Sequence, residues 1–159
     1  MGKTRTQGPG ATYSRVVSGV SGRVLVVDDN RVIRQLIRVN LELEGFEVVT
    51  AADGAECLDV VHSVRPDVVT LDVVMPRLDG LLTVERLRED PATRHLPVAI
   101  VSACSAYEVE RGFAAGADAY LAKPFEPADL VRLVRQLRCR EERPPLDGRR
   151  GVGQAGSPC

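Results

Sequence analysis

No stretch of the sequence is apolar over anything near the ~18 to 20 residues that a membrane-crossing helix requires. The opening segment, MGKTRTQGPG, has no apolar core, so it does not read as a secretory signal. Neither sign of charge is in excess. A net charge of −1 gives no reason to expect nucleic acid or an anionic membrane surface as a general partner. The four cysteines (Cys57, Cys104, Cys139, Cys159) form no C-x-x-C pair and no regular framework, which argues against a cysteine metal site or a disulfide scaffold; reduced thiols in a cytoplasmic protein are expected. Lysine is nearly missing. Of 21 basic residues only Lys3 and Lys123 are lysines, and Lys3 lies in a polar leader, so Lys123 is the single lysine of the patterned part of the chain.

What is present is one domain's worth of alternating pattern. The 159 residues, 44% hydrophobic and 27% charged, suit one domain with a proper core and are too few for two of ordinary size. Residues 1–22 are rich in Gly, Ser, Thr and Arg without periodicity and read as a disordered tail. Val24 to Val27 is an all-apolar run, the signature of a strand covered on both faces. Val32, Ile33, Leu36, Ile37 and Leu41 then recur at helical spacing, with Gly45 as the stop signal. Strands are expected at 46–51, 67–72, 97–102 and 119–123, and helices at 54–64, 81–87, 106–117 and 127–138. In the last helix Leu130, Val131, Leu133, Val134 and Leu137 share a face and the arginines lie opposite. Residues 139–159 are Pro, Gly and charge, and read as a tail or linker. Strict alternation of strand and helix implies right-handed βαβ units, hence an α/β fold with a five-stranded parallel sheet covered by helices on both faces.

In such a sheet the working residues gather at the carboxyl ends of the strands. There the sequence places Asp28 and Asp29, Asp72, Ser102, and the pair Lys123-Pro124. Two adjacent carboxylates behind an apolar strand are costly unless paired or metal-bound. Clustered carboxylate oxygens suit a hard cation such as Mg²⁺, which keeps several waters and commonly bridges to phosphate. An ammonium and a hydroxyl are the groups that hold phosphoryl oxygens, and one carboxylate can itself accept the phosphoryl group.

The sequence resembles the receiver domain of bacterial two-component response regulators, the family of the single-domain chemotaxis regulator. The residues that carry the resemblance are VVDDN at 26–30, LDVVMPRLDG at 71–80, VSA at 101–103 and KPF at 123–125, in order across roughly residues 23–138. Asp29 to Asp72, Asp72 to Ser102, and Ser102 to Lys123 are 43, 30 and 21 residues apart, which fits the family. The resemblance implies a flavodoxin-like (βα)5 fold with strand order 2-1-3-4-5. It implies Asp72 as phosphoacceptor and Mg²⁺ held directly by Asp29, Asp72 and the Val74 backbone carbonyl, with Asp28 acting through water. It also implies Lys123 paired with the phosphoryl group, a cis peptide between Lys123 and Pro124, Ser102 as the switch hydroxyl, and Tyr120 as the aromatic that follows it inward. The implied partners are a sensor histidine kinase or phosphotransfer protein, and a downstream protein or fused output domain. A homodimer through the helix 4–strand 5–helix 5 face is also implied.

Other readings stand beside this one. A phosphorylation-independent interaction module would normally have lost an acidic residue or the lysine, and none is missing. A Mg²⁺-dependent phosphatase of the haloacid dehalogenase type would carry an Asp two residues after its nucleophile, where Val74 stands. The expected role is therefore a signalling switch that assists only its own phosphorylation and dephosphorylation. With Val74 and Cys104 at the positions two after Asp72 and Ser102, slow to moderate self-dephosphorylation is expected. Asp79-Gly80 reads as a turn and helix start without chemistry, and His62 and His95 as surface histidines without partners.

Overall fold

Four consecutive apolar residues, three of them β-branched, open the folded part as a strand whose side chains are shut off from solvent on both sides. A computed structural model of the chain describes residues 21–75 and 78–142. In chain order it contains β1 (Gly22–Val27), α1 (Arg31–Leu43), β2 (Phe46–Ala51), α2 (Gly54–Val64), β3 (Val68–Leu71), α3 (Gly80–Glu89), β4 (Val98–Ser102), α4 (Ala106–Ala115), β5 (Ala119–Ala122) and α5 (Pro127–Glu142). All four strand pairings are parallel and the order is β2-β1-β3-β4-β5, as expected. The boundaries differ at both ends. Gly22, read as tail, begins β1 opposite Phe46 of β2, and α5 runs four residues past Arg138. The rest of the two expected tails lies outside the described residues.

The chain moves outward from β1 to β2, then back across β1 to β3 and on to β5. With right-handed crossovers that reversal puts α1 and α5 on one face and α2, α3 and α4 on the other. Val24 and Val26 pack with Ile37, Leu41, Leu130 and Val134 on the first face. Leu25 and Val27, one residue out of phase, pack with Cys57, Val61, Val84 and Leu87 on the second. Each fully buried Val, Leu or Ile side chain contributes roughly 1.5–3 kcal/mol, so these two layers dominate the stability. Burial pushes the Cys57 thiol up to about 12, which makes it a packing residue rather than a nucleophile.

Helix starts follow local capping chemistry. The side chains of Asn30, Asp53, Asp79 and Ser105 each accept a hydrogen bond from the free backbone N–H three residues on. Gly45, at φ 94°, turns the chain from α1 into β2 in a conformation that favours glycine. Not every apolar position of α1 points inward: Ile37 and Leu41 are buried, but Val32, Leu36, Val39 and Leu43 are exposed. No helix among the described residues is long and apolar enough to cross a membrane.

Two side-chain expectations are corrected. His62 is at the surface but has a partner, its Nε2 lying 2.7 Å from Asp90 Oδ2. Cys57 and Cys104 carry free thiols, whereas Cys139 is disulfide-bonded. Asp90 lies 28 residues from His62 in sequence, so local pattern could not reveal that contact.

Candidate functional site

The register builds the site. Val27 pairs with Leu71, so the next residues along, Asp28 and Asp72, leave the sheet side by side at the point where the strand order reverses. Ser102 ends β4 opposite Ala122, which brings Lys123 in as the next residue on the far side. The Lys123–Pro124 peptide is cis.

Asp72 is held through both oxygens. Ser102 Oγ donates to Oδ1 at 2.6 Å, and Lys123 Nζ donates to Oδ2 at 3.2 Å. Lys123 also donates to Asp28 Oδ2 at 2.7 Å, and the Asn30 N–H donates to Asp28 Oδ1 at 2.8 Å. Asp28, Asp72 and Ser102 are buried, Lys123 is mostly so, and Asp29 is exposed. One oxygen from each of Asp28, Asp29 and Asp72 can be drawn so that all three lie within 4.8 Å of one another. An all-oxygen carboxylate set of this size, open to water on the Asp29 side, fits a hard divalent cation.

The electrostatics follow from crowding. Burial raises the Asp28 pKa, the Lys123 and Asn30 hydrogen bonds oppose it, and the Asp72 charge adds to the rise. For Lys123 burial pulls downward, but the hydrogen bond and charge of Asp28, and then Asp72, outweigh it and the pKa is raised. One ammonium thus serves two acids, and the cluster keeps a negative excess.

The remaining expected residues flank this centre. Tyr120 is half-buried beside Cys104 and Ile100, and its hydroxyl donates to the Ser102 carbonyl at 3.2 Å. The Val74 side chain is 64% exposed at the mouth. Two residues escaped the sequence reading. Gly80 packs so tightly that a Cβ would collide with the Asp72 carbonyl oxygen and Val73 Cα, while its N–H donates to the Val73 carbonyl at 2.8 Å. The Asp-Gly pair at 79–80 is the available signal; it reads as a turn and helix start, which α3 bears out, but not as packing against Asp72. Arg34 reaches back from α1 to donate from NH1 to the Asp28 carbonyl at 2.8 Å.

Comparison with known proteins agrees with this geometry. The family model of the response regulator receiver domain matches residues 24–135. The chain is 36% identical over 124 residues to the DNA-binding dual master transcriptional regulator RpaA of Synechocystis sp., covering 77% of this chain and 52% of that one. It is 46% identical over 116 residues to response regulator MprA of Mycolicibacterium vanbaalenii, covering 72% and 49%. The chain thus spans about half the length of these curated relatives. Among solved structures it is similar to the chemotaxis response regulator CheY4 of Vibrio cholerae, with a TM-score of 0.68 and 35% identity over 72% of this chain and 97% of that one. It is similar also to the receiver domain of the Francisella response regulator 1452, with a TM-score of 0.70 and 35% identity over 76% and 99%.

Proposed function

Because the chain belongs to the response regulator receiver domain family, we propose that it is a phosphorylation-controlled switch of a two-component system whose phosphoacceptor is Asp72. The observation that carries this reading is the engagement of both Asp72 oxygens, by Ser102 on one side and Lys123 on the other, inside a three-carboxylate cluster. An Asp72 oxygen attacks the phosphorus of a phosphohistidine on a histidine kinase or phosphotransfer protein. The P–N bond breaks, the imidazole leaves, and an acyl phosphate forms on Asp72. Lys123 pairs with the phosphoryl oxygens and Ser102 donates its hydroxyl to one of them.

Mg²⁺ is the cation this donor set suits: Asp29, Asp72 and the Val74 carbonyl would hold it directly and Asp28 through water, and it would supply charge neutralisation for phosphoryl transfer. Val74 and Cys104 carry no charged or amide group to orient water for attack, so the phosphorylated form hydrolyses at a slow to moderate rate. The chain assists its own phosphorylation and dephosphorylation and turns over no external substrate.

When Ser102 turns to the phosphoryl group, the carbonyl that accepts from Tyr120 belongs to the residue that moves. The α4–β5–α5 face then shifts. α4 suits such a role because the only residue it buries is Gly112, while Tyr107 and Phe113 stay exposed. Moving from about 1% to 99% active takes about 5.5 kcal/mol of differential stabilisation, within reach of several charge-assisted contacts. α1 starts directly after the acidic pair and exposes Val32, Leu36, Val39 and Leu43 along one stripe, which suits a helical phosphodonor. The output is a downstream protein or a fused domain, with a homodimer through α4–β5–α5 as one route, in the cytoplasm.

Intact mass after incubation with acetyl phosphate tests this. A gain of one phosphoryl group that requires Mg²⁺ and is lost in Asp72→Ala is expected. No gain in a folded wild-type protein overturns it.

A further inference from the structure

Helix N-termini favour acidic side chains, because their free N–H groups carry partial positive charge. The first turn of α1 breaks that rule: it holds Arg31 and Arg34 and no acid. A local preference broken at the edge of a site calls for a contact that offsets it. For Arg34 the contact is specific. Among the described residues its guanidinium pairs with no carboxylate; it donates to the main-chain carbonyl of Asp28 at 2.8 Å.

That carbonyl is the handle of the Asp28–Asp29 peptide. The peptide group is planar, so fixing its oxygen fixes the direction of the Asp29 N–H and the placement of the Asp29 Cα. Every polar atom of Asp28 is then occupied. Its N–H donates to the Ala51 carbonyl, its carbonyl accepts from Arg34, and its two carboxylate oxygens accept from Asn30 and Lys123. The Asp29 carboxylate, in contrast, has no hydrogen bond or ion pair among the described residues, although it is one of the three acids of the cluster. Nothing at its own side chain holds it toward the site. Its position rests on the backbone just before it.

We infer that Arg34 is a positioning residue, clamping the Asp28–Asp29 peptide so that the Asp29 carboxylate is preset to take a divalent cation. The inference rests on the cation reading above, and it adds a residue outside the carboxylate set. Its charge alone acts in the opposite direction, since a guanidinium beside a cation site repels the cation. The two roles therefore predict opposite signs.

The test is calorimetric titration with MgCl₂ of the wild type, Arg34→Gln and Arg34→Lys, with amide hydrogen exchange at Asp29 and Asn30 in metal-free protein. Arg34→Gln removes the charge and shortens the reach; Arg34→Lys keeps both the charge and a donor. The expected result is Mg²⁺ binding weakened about 10-fold in Arg34→Gln, the lower end for loss of a group that orients a ligand. Arg34→Lys should recover most of it, and exchange at Asp29 and Asn30 should speed up in Arg34→Gln alone. Binding in Arg34→Gln that equals or exceeds the wild type overturns the inference, as does lower thermal stability with affinity unchanged. If the wild type itself binds no Mg²⁺, the cation reading fails. The exchange data then still decide whether Arg34 holds the peptide.

Discussion

The Lys123 ammonium stands closer to Asp28 than to Asp72, at 2.7 Å against 3.2 Å. The lysine thus lies between two acids and leans toward the one that does not accept the phosphoryl group in our reading. This leaves Asp72 the more weakly held of the pair on the lysine side, with Ser102 supplying its shorter hydrogen bond. Such an arrangement keeps the acids together without a metal and lets Lys123 turn when new negative charge arrives.

Removing that ammonium should leave Asp28 and Asp72 without their common partner. Lys123→Met is expected to lower metal-free stability by about 1–3 kcal/mol, less than the full penalty for orphaning a buried charge because the acids can take up protons. Added Mg²⁺ should restore more stability in the variant than in the wild type, since the cation takes over the ammonium's role. Thermal unfolding with EDTA and with MgCl₂ checks this. Equal Mg²⁺ stabilisation of both proteins would show that Lys123 is not the cluster's charge balance.

Asp28 sets a pH dependence. Its folded-state pKa is raised above the ordinary 3.8, burial being the main cause. A raised acid binds protons more readily in the folded than in the unfolded chain, so its contribution to stability is greatest at low pH. It declines as pH rises from about the ordinary value through the raised one. Asp28→Asn, which mimics the neutral acid, should remove that decline and leave the metal-free protein at least as stable near neutrality. Urea midpoints of the two proteins across pH 3 to 8 test the sign. A difference that grows in favour of the wild type as pH rises would contradict it.

Gly80→Ala should damage the site from behind. The added Cβ meets backbone atoms of Asp72 and Val73, which cannot rotate away as a side-chain tip can. Overpacking of this kind costs about 1–3 kcal/mol, less any gain in helix propensity from alanine over glycine. Because the displaced atoms belong to Asp72, the acceptor in our proposal, phosphorylation by acetyl phosphate should slow by more than the loss of folded protein explains. Urea unfolding and the initial phosphorylation rate, measured on the same preparation, separate the two effects.

The α/β class and the positions of Asp28, Asp29, Asp72, Ser102 and Lys123 at strand ends could be read from the sequence because the signals are local. Apolar runs mark covered strands, helical spacing marks the helices, and Gly, Pro and Asp punctuate between them. The order of the motifs then fitted one known family. The bonds within the site are a different kind of information. The lean of Lys123 toward Asp28 spans 95 residues of chain, and the His62–Asp90 pair spans 28. Both depend on how helices settle on the sheet to within a fraction of an ångström. Arg34 on the Asp28 carbonyl is close in sequence, yet the pattern gave no sign of it, because an arginine in a first helical turn reads as an ordinary surface charge until its partner is seen. Gly80 against the Asp72 backbone and the exposed stripe of α1 likewise appear only once the layers are packed. Periodicity says which face a residue can share, and close packing decides what it touches there.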